Sequence, residues 1–350
     1  MGACTPVRCI SQPDRPQLRS TPVHDTLGGI IPDISQNGAL DLAEIDRNWT
    51  QSRSLGVSLQ AVDTDKIYGR DNTFTLGASL DYGWTRFNGN SQIGTFFNDD
   101  NTSFRVIGFP YIINEPDSFL RPVMVHATNL YTGLYALDTF SATDRLTLTG
   151  GAGLNSAAIN IEGANGALLN GYSTFLHLNP TVGLTYKITP DINFYAGYAM
   201  SNRAQTPLEL GCADPNNPCI IDNFLVSDPK LKQVVGNTFE LGFRGQNDLG
   251  QWGKLQWSAG LFRTTLTDDI LPLQSAATGF GYYANVGTTL RQGAEVSAQW
   301  TGDRWTAYAN YTYIDAVYLS TFMEPSPFNP LADANGDIPI TNGTPIAGIP

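Results

Sequence analysis

Charge is scarce in this sequence. Asp, Glu, Lys and Arg together make up 15% of its 350 residues, against roughly 25% in an ordinary soluble chain. Positive charge is scarcest: 20 Lys and Arg stand against 32 Asp and Glu, a net charge of −12. That excludes a nucleic-acid partner, which needs a basic footprint on the phosphates. Long hydrophobic runs are missing too. The longest, such as Val106–Ile113, fall far short of the ~20 residues with which a helix crosses a bilayer. A helical membrane protein is therefore excluded. Met1–Asp14 has no apolar core of a signal peptide, so the chain is expected either to be cytoplasmic or to lack its natural beginning.

Chemistry-bearing motifs are equally absent. His24, His126 and His177 form no tandem ligand pattern, and neither a metal nor a cofactor is expected. There is no G-x-S-x-G elbow, H-E-x-x-H, P-loop or dinucleotide fingerprint. The acid pairs Asp99-Asp100 and Asp268-Asp269 fall in turns and read as solvated punctuation. Asp333-Ala-Asn-Gly-Asp337 begins like a calcium loop, but Ile338 stands where Gly is needed and Thr344 where Glu is needed. The sequence points away from an enzyme.

What is present is Gly (35), Pro (21) and 11% aromatics, with 41% hydrophobic residues and a mean hydropathy of −0.16. Disorder does not fit a chain so poor in charge and rich in rings. Strict period-2 alternation begins at Ser54. Phe74, Leu76, Ala78, Leu80, Tyr82 and Trp84 share one face, opposite Thr75, Gly77, Ser79, Asp81 and Gly83. Leu176, Leu178, Pro180, Val182, Leu184 and Tyr186 repeat the pattern, and weaker copies run over 238–243, 255–261, 295–300 and 305–313. Alternation is the mark of a strand with two unlike faces, so the chain is all-β.

Three features choose lipid over a protein core as the partner of the apolar face. Several strands reach the ~9–11 residues that span a membrane at a tilt. Their polar face is Gly, Ser, Thr, Asn and Gln rather than Lys and Glu, which suits a crowded wet lumen. Rings gather near strand ends (Tyr82 and Trp84, Trp300 and Trp305), as in an interfacial girdle. Tight turns at Ile188–Ile192 and Thr301–Arg304 alternate with long polar connections at Asn98–Pro122, Ile159–Tyr172, Ser201–Val235 and Leu319–Pro350. That asymmetry separates periplasmic turns from external loops. A soluble sandwich or propeller is the competing architecture.

Cys212 and Cys219 enclose Ala-Asp-Pro-Asn-Asn-Pro and read as a small disulfide-closed loop, worth roughly 2–3 kcal/mol by loop entropy. An oxidising compartment follows. Cys4 and Cys9 either pair or are incidental.

Several segments, in order, resemble TonB-dependent outer-membrane receptors. They are Arg53–Gln60, Tyr68–Asn72, Leu76–Asp81, and Asn193–Leu210 with its Tyr…Ser…Arg…Pro-x-Glu-Leu ending. The loop holding Cys212 and Cys219, then Asp228–Arg244, Leu261–Thr264, Asp269-Ile270, Asn285–Gly287, Gly293–Glu295, Asn329–Gly336 and Ile346–Pro350, continue the series. The resemblance implies an antiparallel transmembrane β-barrel set in outer-membrane lipid. It further implies uptake of a scarce bulky small-molecule solute (siderophore-bound iron, haem, cobalamin or an oligosaccharide), energised by the TonB complex through a plug domain. No plug, TonB box or terminal aromatic strand is recognisable, so the expectation is an incomplete barrel, about two-thirds of 22 strands, and a chain that aggregates when expressed alone. Residues 1–50 are expected to be irregular and 51–350 to form the barrel. Arg203 and Lys230 are the candidate anion contacts in the ligand-facing loops, although for either residue alone plain surface charge is the favoured reading. The alternative function is a secreted soluble β module, carbohydrate-binding or structural, without transport.

Overall fold

The computed structural model describes residues 24–31, 42–97, 105–106, 112–114, 122–164, 170–210, 219–220, 231–274, 280–326 and 329–347. Its strands are β1 (Leu42–Asp63), β2 (Asn72–Phe97), β3 (Arg105–Val106), β4 (Val123–Ser141), β5 (Leu146–Ala164) and β6 (Asn170–Lys187). β7 (Ile192–Arg203) leads into one helical turn, α1 (Pro207–Leu210), and then β8 (Cys219–Ile220), β9 (Val234–Asp248) and β10 (Lys254–Thr267). The remainder are β11 (Ile270–Gln274), β12 (Phe280–Asn285), β13 (Thr289–Thr301), β14 (Thr306–Tyr318), β15 (Phe322–Pro325) and β16 (Asp337–Ile340).

One antiparallel sheet carries the molecule. Its order is β1-β2-β4-β5-β6-β7-β9-β10-β13-β14, with β3 against the far end of β2. Among the described residues β1 and β14 each pair on one side only, so the ladder stays open. Small sheets of β11-β12-β8 and of β15-β16 lie outside it.

Turn chemistry fixes which rim each strand starts from. Ile67 and Arg70 close a two-residue turn whose Tyr68 and Gly69 both have positive φ, 50° and 76°, as a right-twisted hairpin requires. Thr143 Oγ1 accepts the Leu146 N–H in the β4–β5 turn. Ile188 donates to the Ile192 carbonyl, and Gly302 to that of Trp305. These short connections share one rim, and the long ones share the other. Two expectations shift. β1 already begins at Leu42, inside the segment expected to be irregular, and β5 and β6 extend the ladder over most of 159–172. Along that stretch alternation continues, but the chemistry of the two faces changes.

That change is a phase inversion. Near the short-turn rim the apolar side chains project outward. Leu55 is 72% exposed, Leu59 73%, Leu178 57% and Leu241 45%, and none packs against a second sheet. From Phe74 to Trp84 a strand tilted about 45° climbs roughly 25 Å, the height of an outer-membrane apolar band. Higher up, the phase reverses. On β4 the inward residues Val123, Val125 and Ala127 are buried while His126 and Thr128 face out; on β5 Ile159 and Ile161 are buried while Asn160 and Glu162 face out. The expectation that the inward face is polar throughout is thus corrected: it holds below the inversion and fails above it.

Candidate functional site: a polar bore under a loop-covered rim

The inward wall near the short-turn rim is wet by design. Registers between β7, β9, β10 and β13 place Glu240, Arg244, Gln246, Gln256, Ser258, Glu295, Ser297 and Gln299 on one face. Ser258 and Ser297 hydroxyls are 2.7 Å apart. An open hollow of about 810 Å³ lies against this wall, lined by Asn193, Arg244, Gln256, Gln299 and Asn310 among others.

Tyr195 explains two of the glycines. A Cβ on Gly242 would lie 2.7 Å from the Tyr195 hydroxyl, and one on Gly260 2.8 Å from it. The ring therefore lies flat across both, with Arg244 stacked 5.9 Å from its centroid. Tyr135 covers Gly77 in the same way and donates to Gln60 Oε1 at 3.0 Å. Glycine on this face is room for a ring, which alternation alone does not reveal.

Where β6 and β7 part, above the Thr181–Ala199 pair, amides fill the wedge. Asn155 and Asn179 donate to Asn202 Oδ1 at 3.2 and 2.7 Å, and Asn202 donates to Gln233 Oε1 at 3.2 Å.

The opposite rim is covered by its own loops. Leu210 of α1, Leu231 and Ile270 fold onto Val123, Val125, Ile159, Ile161 and Val234 as one apolar cluster. Polar clips hold the cover. Arg203 Nη1 reaches both oxygens of Glu209 at 2.8 Å. Glu209 accepts from the Thr206 N–H, and Thr206 Oγ1 accepts from the Glu209 N–H, a capping box. Asp269, 4% exposed, takes Thr289 Oγ1 at 2.7 Å and Arg291 Nη2 at 3.0 Å on one oxygen. Asn285 ties Lys232 to Asp268: its amide donates to both carbonyls and its Oδ1 accepts the Lys232 N–H. A second cluster joins Leu273, Val286, Tyr318 and Ile340. There burial raises the Glu324 carboxyl above its ordinary value. The Asp337 and Asn335 amides hold Asp333 below its own, because Asp333 Oδ1 accepts both N–H groups.

The sequence-predicted residues fare unevenly. Arg203 projects inward at the rim, engaged by Glu209. Cys212 and Lys230 lie outside the described residues. Cys219 sits in β8, opposite Gly281. Asp269 is corrected from solvated turn residue to buried clip, since β13, paired with β10 beside that turn, brings Thr289 and Arg291 to it. A Thr-x-x-Glu box three residues past Arg203 was the available signal for the Arg203–Glu209 pair.

The comparisons agree with this geometry. No protein of curated function matches the sequence. Among solved structures, the siderophore receptor PiuA from Acinetobacter baumannii is similar at 22% identity and TM-score 0.55, over 78% of this chain and 39% of its own. The ferric citrate transporter FecA is similar at 16% identity and TM-score 0.53, over 78% and 37%. The ferric yersiniabactin uptake receptor FyuA from Yersinia pestis is similar at 17% identity and TM-score 0.52, over 78% and 37%. At such identities the likeness is one of fold, and the chain spans well under half the length of each. The family described as TonB dependent receptor-like, beta-barrel matches residues 24–350. Sheet, loops and this match converge: the chain belongs to the TonB-dependent receptor β-barrel family.

Proposed function

We propose that this chain is barrel wall of a Gram-negative outer-membrane receptor that captures a scarce bulky solute and admits it when TonB supplies energy. The observation that carries the reading is the outward apolar band, about 25 Å high, bounded above by the phase inversion. Side chains such as Leu59 and Leu178 would be an aggregation hazard in water and are ordinary in acyl chains. For the same reason a soluble secreted β module is the weaker alternative.

Within this reading the short turns face the periplasm and the clipped loops face outward. Iron chelates are the first solute class to test, since PiuA, FecA and FyuA are described as receptors or transporters of siderophores, ferric citrate and ferric yersiniabactin. Haem, cobalamin and oligosaccharides follow. Arg203 is a weaker anion contact than its charge suggests, because Glu209 holds it. We further propose a Cys212–Cys219 disulfide, and the residues before Leu42 as a segment distinct from the barrel proper.

The test has two arms. The chain should fractionate with the outer membrane and resist carbonate extraction, and a label placed at the exposed Leu331 should react from outside intact cells. Accumulation of a ferric siderophore by the receptor that contains this wall should then depend on TonB. Recovery in the soluble fraction would end the membrane reading; accumulation that persists without TonB would end the energised one.

A further inference from the structure

We infer that Arg53 and Arg86, both over the indole of Trp84, form a lipid-facing seat for the phosphorylated headgroup of an anionic outer-leaflet lipid. The inference rests on the membrane reading above and adds a ligand to it.

The register puts the seat together. Arg53 of β1 stands directly opposite Trp84 of β2, and Arg86 is the next outward residue up β2. Both guanidinium carbons lie over the same indole, at 5.9 and 5.5 Å from its centroid, within the reach of cation–π attraction. His126, opposite Arg86 on β4, accepts the Arg86 Nε–H at 3.0 Å, which fixes the orientation of that guanidinium. One row above, Trp49 projects outward, half exposed, and beyond it Arg47 donates to Gln92 at 2.9 Å.

Height decides what this cluster meets. Leu55 and Leu80, just below, belong to the apolar band, and the outward face turns polar at Trp84. A cation at that level borders acyl chains below and headgroups above. Arg prefers phosphate, which its planar fork grips bidentately.

Carboxylates take up some of the other arginines of the fold. Arg203 is paired to Glu209 and Arg291 to Asp269. Arg263 donates to Gln292, which in turn donates to Asp315. Among the described residues neither Arg53 nor Arg86 has an ion pair. The acid on this outward sector is Glu162, opposite His126 on β5, at the far side of the cluster. A chain with a net charge of −12 thus keeps an uncompensated positive patch where anionic headgroups lie.

The full chain in detergent micelles is titrated with a bis-phosphorylated acyl-disaccharide lipid, its dephosphorylated form and inorganic phosphate, with lipid retention read by native mass spectrometry. A surface Arg is worth about 1 kcal/mol against an anionic membrane. Arg53→Gln should therefore weaken binding of the phosphorylated lipid roughly 5-fold, and Arg53→Gln/Arg86→Gln about 30-fold. Arg53→Lys/Arg86→Lys, which keeps the charge and serves as the folded control, should fall between the double Gln variant and the native chain. Equal binding by the double Gln variant, or of the dephosphorylated lipid by the native chain, overturns the inference. So does displacement of the lipid by millimolar phosphate, which would mark a small-anion site. If the native chain retains no lipid of either kind, the membrane reading itself falls.

Discussion

Two stretches of the same strands obey opposite rules. On β5, Leu148 and Leu154 project outward below the inversion, while Ile159 and Ile161 turn inward above it. The hydrogen-bonded ladder runs through the change without a break, from Leu146–Tyr186 to Glu162–Asn170. Backbone pairing therefore does not determine which face is greasy. The surroundings do: acyl chains outside below, folded loops inside above. Alternation reports two unlike faces, and its phase reports which of them is dry.

The sharpest way to break that comparison is to remove apolar volume on each side of the inversion. Ile159→Ala empties space that the loop cover cannot refill and should cost about 2–5 kcal/mol. Leu154→Ala should cost only about 1–2 kcal/mol, the transfer term alone, because acyl chains move in. Urea unfolding in lipid vesicles measures both, and equal losses would mean the two environments are not distinct. Charge makes the same cut from outside. Leu80→Arg, within the band, should cost about 2–4 kcal/mol, and Asn160→Arg, above it, about 1 kcal/mol or less. The same titration decides.

The loop cover can also be loosened alone. A Cys212→Ser variant should lose roughly 2–3 kcal/mol of loop stability, read as faster proteolysis of the β7–β9 connection with the sheet intact. Unchanged cleavage, or free thiols in the native chain, would remove the disulfide. Asp269→Asn weakens a charge-assisted pair at a buried clip and should cost about 1.5–3 kcal/mol, seen as lost exchange protection at Thr289 and Ile270 but not at Leu241. The smallest effect concerns pH. Burial raises the Glu324 carboxyl, so the folded β15–β16 hairpin binds a proton more readily than the unfolded chain. Its stability falls as pH rises through the raised value, and protection should grow on going from about pH 7 to pH 5. Glu324→Gln should abolish that gain. Asp333, shifted the opposite way by the Asp337 and Asn335 amides, withdraws its stabilisation only at more acidic pH, below the ordinary carboxylate range.

Much of this was legible beforehand. The alternation at Phe74–Trp84 and Leu176–Tyr186 located the lipid-facing side, and Pro or Gly-Asp turns located one rim. The inversion escaped because Ala157, Ile159 and Ile161 alternate as well as Leu148 and Leu154 do; only the partners Leu210 and Leu231, distant in sequence, reveal the new phase. Arg53 and Trp84 likewise meet through register, which no local spacing encodes. Asp269 read as a turn acid because Thr289 and Arg291 come to it from another strand.

Rings laid flat over glycine have a mechanical consequence. Tyr195 across Gly242 and Gly260, Tyr135 across Gly77, and Phe262 at 2.9 Å from where Gly293 would bear a Cβ each keep a bulky ring close against the inward wall. At those places a solute admitted under the proposed role would meet ring faces, set among the amide and charged tips of Gln256, Glu240 and Arg244. The wall is flatter there because the absent Cβ lets the ring lie down.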